Sequence, residues 1–171
     1  MRCLVVYESI YGNTRDIALA IADGAATTIP TDAVEVADAP TTIPADVGLL
    51  IVGGPTHGFT MTRPGTRADA MTKHADGFEG SFVSTDSGIR EWLGEVTVSK
   101  GTRFATFDTK IAKPHLPGSA AVKAARLLKR KRLVPVADPE NFWVEGTHGP
   151  LTDGDLERAK QWGAMVATAL D

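Results

Sequence analysis

Two stretches of this chain are nearly unbroken apolar runs, RCLVVY at Arg2–Tyr7 and VGLLIVGG at Val47–Gly54, and TRFATFDT at Thr102–Thr109 reads as a fourth strand. A strand with one wet face alternates polar and apolar residues; a strand buried on both faces does not. Amphipathic segments follow these runs. Thr14–Ala25 places Ile17, Ala18, Ile21 and Ala25 on one helical face, with Asn13 or Thr14 able to cap it. Buried strands alternating with helices require a parallel sheet covered by helices on both sides. The remaining segments fit that scheme. Val34–Ala37 reads as a second short strand, and Arg63–Ala75 and Ser87–Leu93 as helical. Ser119–Lys131 is a strong helix, Leu133–Val136 a fifth strand, and Thr152–Leu170 a closing helix capped by Thr152 or Asp153. Ala137–Pro150 is the one long interruption, expected to extend the fifth strand or to form a surface excursion.

No repeat, low-complexity tract or composition break divides the 171 residues, so residues 1–171 are read as one domain. With 43% hydrophobic and 23% charged residues and a net charge of −3, no acidic tail or overall nucleic-acid field dominates. The basic run Lys129–Arg132 ends a helix, where cations suit the helix dipole, and is not read as a nucleic-acid site. The single cysteine, Cys3, lies in the first apolar run and rules out an internal disulfide. His57, His74, His115 and His148 have no metal-ligand spacing, so no metal is expected. No segment has the roughly 20 apolar residues of a membrane span. The short first apolar run is no signal peptide, and a cytoplasmic location is expected.

Ligands of open parallel sheets bind beyond the carboxyl ends of the strands, where strand order reverses. Three segments fall there: Ser9–Thr14, Gly53–Thr60 and Asp108–Gly118. The first, SIYGNT, lacks both the nucleotide P-loop pattern and G-x-G-x-x-G. It offers hydroxyls at Ser9 and Thr14, a flexible Gly12, Asn13 and a following helix N-terminus. Neutral donors of this kind suit a phosphate monoester. The same residues also serve as a plain strand–helix turn with a cap. His57 and Phe59 likewise read either as ligand contacts or as a structural histidine and a core aromatic.

ESIYGNT resembles the phosphate loop of the flavodoxin family, [ST]-x-[ST]-G-x-T, with Tyr11 in place of the second small hydroxyl. GGPTHGF resembles the second flavin loop of flavodoxin domains in flavo-diiron and related proteins. The last helix–strand–helix, from GSAAVKAARLLKRKR to LERAKQWG, resembles theirs too. The resemblance implies an α/β, three-layer, doubly wound domain with a five-stranded parallel sheet of order 2-1-3-4-5. It also implies non-covalently bound FMN and electron transfer. Carried over by position, Ser9, Ile10, Tyr11, Gly12, Asn13 and Thr14 cradle the phosphate. Pro55, Thr56, His57, Gly58 and Phe59 border the isoalloxazine ring. Asp108, Thr109 and Lys110 supply the third loop, which is longer than in the relatives and lacks their glycine and aromatic residues. Lys110, Lys113 and His115, with Arg63 and Arg67 after the second loop, are expected to make the rim mixed or basic. Three functions follow: an electron carrier serving a redox partner protein or a small-molecule donor or acceptor; a flavin-dependent reductase or oxidase of a quinone or porphyrinogen; and a flavin-free binding module on the same frame.

Overall fold

The computed structural model describes residues 1–170. Strand β1 (Arg2–Tyr7) lies between β2 (Thr31–Glu35) and β3 (Val47–His57), and all three are parallel. Strand β3 turns back into a short antiparallel β4 (Thr60–Met61) and pairs on its other side with β5 (Arg103–Ile111). Beyond β5 the outer position is shared by β6 (Val134–Pro135) and β7 (Glu140–Val144), both parallel to β5. The order β2-β1-β3-β5-β6, with the β4 hairpin off the path, is the expected 2-1-3-4-5 arrangement. The fifth strand differs from the expected Leu133–Val136 in being broken in two. The Val134 and Val136 N–H groups both donate to β5, so Pro135 between them needs none; the ladder lapses over Ala137–Pro139, where Pro139 has no N–H, and resumes at Glu140.

Helices α1 (Asn13–Ala25) and α5 (Asp155–Thr168) cover one face of the sheet. There Val5, Ile17, Ile21, Ile51, Phe107, Phe142 and Trp162 form one core. The opposite face carries α3 (Ile89–Glu95) and α4 (Ala120–Arg130), while α2 (Pro64–Thr72) lies at the cleft end, held by Tyr11 and by Arg67 on Glu91. Leu50, Val52, Ile89, Trp92, Leu93, Phe104 and Leu128 build the second core there. Two separate cores on one sheet explain why β1 and β3 read as continuous apolar runs, and why β5 is buried from Phe104 to Thr109 despite its polar residues. Helices α1 and α5 touch backbone to backbone. A Cβ on Gly24 would lie 1.9 Å from the Lys160 carbonyl oxygen, and one on Gly163 would lie 2.1 Å from that of Ile21.

Element ends depart from expectation for local reasons. Strand β2 starts at Thr31 rather than Val34 because it is an edge strand. Its polar Asp32 faces water and pairs with Arg2 at 2.7 Å. Helix α1 is entered through Gly12, in the left-handed region at φ 97°, and not through an Asn13 or Thr14 side-chain cap. Helix α5 starts after Gly154, at φ 87°, so neither Thr152 nor Asp153 caps it. Among the described residues no helix is long and apolar enough to cross a membrane, and no group of three or more His, Cys, Asp or Glu is placed to hold a metal ion.

Candidate functional site

The carboxyl ends of β1, β3 and β5 open onto one cleft of about 360 Å³, a size within the range of small-molecule sites. Ser9, Ile10, Tyr11, Asn13 and Thr14 line it from the first loop, Pro55–Phe59 from the second, and Thr109 and Lys110 from the third. Twelve of the fourteen residues singled out in the sequence therefore meet there; Gly12 and Asp108 do not line it.

Gly12 shapes the first loop. Its N–H donates to Ser9 Oγ (3.1 Å), and the Ser9 N–H donates to Ser84 Oγ (2.9 Å). A helix leaves its first-turn N–H groups without intrahelical acceptors, and they carry the positive end of the dipole. Thr14 Oγ1 is 2.7 Å from Thr109 Oγ1, which fastens the first loop to the third. Asn13 Nδ2 donates to the His148 carbonyl (3.0 Å). The nearest cation, Arg15, folds over Gly12, pairs with Asp16 at 3.0 Å and does not line the cleft. This end of the cleft therefore offers neutral donors.

Tyr11 fills the position where the resemblance places a small hydroxyl. Its phenol donates to the Ala70 carbonyl (3.0 Å), and its ring meets Phe78 and His148 edge-on at 5.1 and 4.7 Å. Phe82 stacks on Phe78 at 5.3 Å. The segment behind this cluster pairs with the loop itself, Val83 N–H to the Ile10 carbonyl (3.1 Å) and Ser84 N–H to that of Ser9 (2.6 Å). Phe78, Phe82, Ser84 and His148 stand at no motif spacing from the loop, and no sequence signal points to them.

The second loop is a two-residue hairpin turn. Gly58 and Phe59 both have positive φ, 53° and 69°, as in the turns that match strand twist. A phenylalanine in the left-handed region is unfavourable. Phe59 is nonetheless held there with 53% of its surface exposed, so it is not a core side chain. His57 is partly buried, and burial, with His74 nearby, lowers its pKa from 6.5, which leaves the imidazole neutral at pH 7. Behind the hairpin, buried Glu8 accepts from Thr62 Oγ1 (2.5 Å) and from the Ile89 N–H (2.9 Å). Burial raises the Glu8 pKa, while Thr62, the Ile89 N–H and Arg67 pull it down. Arg67 donates to Thr62 Oγ1 (2.9 Å) and Glu91 (3.0 Å). Arg67 is therefore a buried clamp on the hairpin and not a rim charge.

Asp108 also turns inward. Its carboxylate is fully buried and accepts from Thr56 Oγ1 (2.9 Å), Ser119 Oγ (2.6 Å), the Ala121 N–H (3.1 Å) and Asn141 Nδ2 (2.7 Å). It anchors the second loop, the start of α4 and β7 beneath the cleft floor. A carboxylate at a helix start is stabilised there by the dipole, so it serves the frame and does not line the cleft. Lys110 does reach the cleft wall. Its ammonium donates to the Gly118 (2.6 Å) and Leu116 (3.4 Å) carbonyls and lies 5.9 Å from the Trp143 ring centre. Lys113 and His115 are exposed and do not line the cleft; His115 packs edge-on against Trp143 at 5.6 Å. Thr66, Asp69 and His74 extend the wall from α2 and its end, and Leu116 and Pro117 from the third loop.

No family model matches the sequence, and no curated protein matches it. Solved structures do. An archaeal flavodoxin aligns at 22% identity and TM-score 0.66, over 99% of both chains. Flavodoxin 1 from Bacillus cereus aligns at 17% identity and TM-score 0.70, over 98% of both chains. The flavodiiron core of Flv1 from Synechocystis sp. PCC6803 aligns at 19% identity and TM-score 0.65, with 99% of this chain covering 36% of that one. With this strand order, these helix layers and a cleft at the ends of β1, β3 and β5, the chain has the flavodoxin-like fold.

Proposed function

We propose that the cleft binds FMN and that the chain acts in electron transfer. One observation carries this reading: neutral donors at a helix N-terminus and an exposed, strained phenylalanine line the same cleft. A flat aromatic ligand with a single phosphate needs those two features together. Ser9, Ile10, Tyr11, Asn13 and Thr14 would hold the phosphate, with Gly12 setting the loop conformation. Pro55, Thr56, His57, Gly58 and Phe59, with Thr109 and Lys110, would border the ring. When bound, FMN supplies one- or two-electron transfer, and its reaction partners are a redox protein or a small-molecule donor or acceptor. The chain orients the ring between the hairpin and the third loop. Neutral His57 offers one donor and one acceptor without adding charge. The Lys110 ammonium, fixed by its own loop, favours negative charge in the cleft.

A second reading, reduction of a small substrate such as a quinone, draws on the wall that Thr66, Asp69 and His74 add beyond the ring loops. The purified full chain, titrated with FMN and followed by flavin fluorescence and absorbance, tests the cofactor. Saturable one-to-one binding is expected; no binding would leave the flavin-free module. Anaerobic reduction of the loaded protein by NADPH or NADH, then turnover with a quinone, separates reductase from carrier.

A further inference from the structure

The charge of this chain is strongly segregated. Residues 109–137 carry eight Lys or Arg and no Asp or Glu, so this stretch is +8, and the rest of the chain, with ten against 21, is −11. The third loop and the start of α4 lie at the cleft, where the Ala120 N–H donates to Thr56, and α4 then runs back along the sheet to the amino end of β5, where Val134 pairs with Arg103. On α4, Ala121, Ala124, Ala125 and Leu128 face the core, while Val122, Lys123, Arg126, Lys129 and Arg130 are exposed. The stripe from Lys123 to Arg130 runs about 10 Å along the helix, at ~1.5 Å per residue. Lys113 and Arg132 are exposed at its two ends.

None of these six cations has a carboxylate partner among the described residues. Elsewhere five of the ten cations, Arg2, Arg15, Arg67, Lys73 and Arg158, pair with a carboxylate. At the cleft end of the stripe, Phe59, Leu116 and Val122 are 53%, 47% and 36% exposed. An apolar centre with an aromatic, flanked by charges of one sign, has the composition of a transient protein interface.

We propose that this surface, the α4 stripe with the Phe59–Leu116 rim, docks an acidic redox protein, bringing its redox centre to the mouth of the cleft. The proposal rests on the FMN reading for its electron, which passes singly between the two centres with no bond made or broken. An acidic protein fits better than a nucleic acid, because the stripe itself carries no aromatic platform for bases. It fits better than a membrane, because Val122 is the one exposed apolar residue on the outward face of α4.

The test uses the full chain, loaded with FMN and chemically reduced, mixed in stopped flow with a small acidic iron–sulfur protein and, separately, with a basic haem protein. The parent is expected to react faster with the acidic protein and to slow at least 10-fold between low and high salt, as steered encounters do. The fourfold variant K123E/R126E/K129E/R130E is expected to lose at least 10-fold in that rate while keeping the parent's FMN affinity. The corresponding glutamine variant, which avoids placing acids at the helix end, is expected to fall between them. Equal rates for parent and both variants, or a preference for the basic haem protein, would overturn the proposal. So would tighter binding of an RNA oligonucleotide or of anionic phospholipid vesicles than of the acidic protein at equal salt. If the chain takes up no flavin, the FMN reading fails. Calorimetric titration of the chain with the acidic protein then still decides the docking surface, with no heat counting against it.

Discussion

Phe59 offers the sharpest test of the cleft, because two effects of its replacement oppose each other in the free protein, while ligand binding adds a third that nothing offsets. Phe59 sits at φ 69°, a conformation that costs a bulky side chain about 1–2 kcal/mol. Asparagine tolerates this region, so Phe59→Asn relieves most of that strain. The same change gives up the buried part of the ring, which is just under half of it at 53% exposure. That is about 100 Å² of a typical aromatic side chain, worth about 2 kcal/mol. The free protein should therefore change little in stability, by no more than about 1 kcal/mol. Ligand binding has no such offset. A flavin ring covering the exposed half would bury about another 100 Å² on the phenylalanine, again worth about 2 kcal/mol, with roughly 1 kcal/mol from ring–ring contact. The variant should bind FMN on the order of 100-fold more weakly, as read by fluorescence quenching. Urea unfolding of the flavin-free proteins supplies the control. Unchanged FMN affinity, with the free proteins equally stable, would refute a ring contact at Phe59 and leave the hairpin strain without a ligand to explain it.

Other expectations follow from the site. Gly12→Val should weaken FMN binding at least about 10-fold, chiefly through its conformation. A Cβ at this position meets only the end of the Arg15 side chain, at 3.2 Å, whereas φ 97° strains any β-branched residue. Asp108→Ala should destabilise the protein by about 3–5 kcal/mol, since it strands donors on Thr56, Ser119, Ala121 and Asn141. Thermal unfolding should drop by roughly 10 °C or more; a loss under about 1 kcal/mol would show that these donors find other acceptors. His57 should titrate below 6.5 in NMR spectra. Because the folded state holds it neutral, its contribution to stability is present above 6.5 and is lost as the pH falls through its folded value. His57→Gln should flatten that part of the pH profile, and a slope identical to the parent's would exclude His57 as its source.

Much of the fold is legible along the chain because its signals are local. Cys3–Tyr7 and Val47–Gly54 are apolar on every residue or nearly so, which only a sheet covered on both faces accommodates. The three loops at the strand ends are then placed by topology alone. Gly12, between a strand and a helix, marks the turn that opens the first loop of the cleft. Sequence was weaker where polar residues do structural work. Thr31 and Asp32 on the edge strand look like loop, and Pro135 and Pro139 hide the resumption of the outer strand at Glu140.

What only the tertiary structure decided was which way charged and aromatic side chains turn. Asp108 and Arg67 look like site or rim residues in the sequence. They are buried because partners remote along the chain, Asn141 for one and Glu91 for the other, complete their hydrogen bonds. The Tyr11 cluster exists because folding brings residues 78, 82 and 148 to residue 11. The basic run at the end of α4 reads locally as a helix terminus. It becomes part of a surface only when packing turns Ala121, Ala124, Ala125 and Leu128 inward and leaves Lys123, Arg126, Lys129 and Arg130 exposed along the outward face of a helix that starts at the cleft. Periodicity and turn chemistry act over a few residues and can be read from a string. The satisfaction of buried charges, and the company that exposed ones keep, depends on contacts between distant parts of the chain, which a string does not contain.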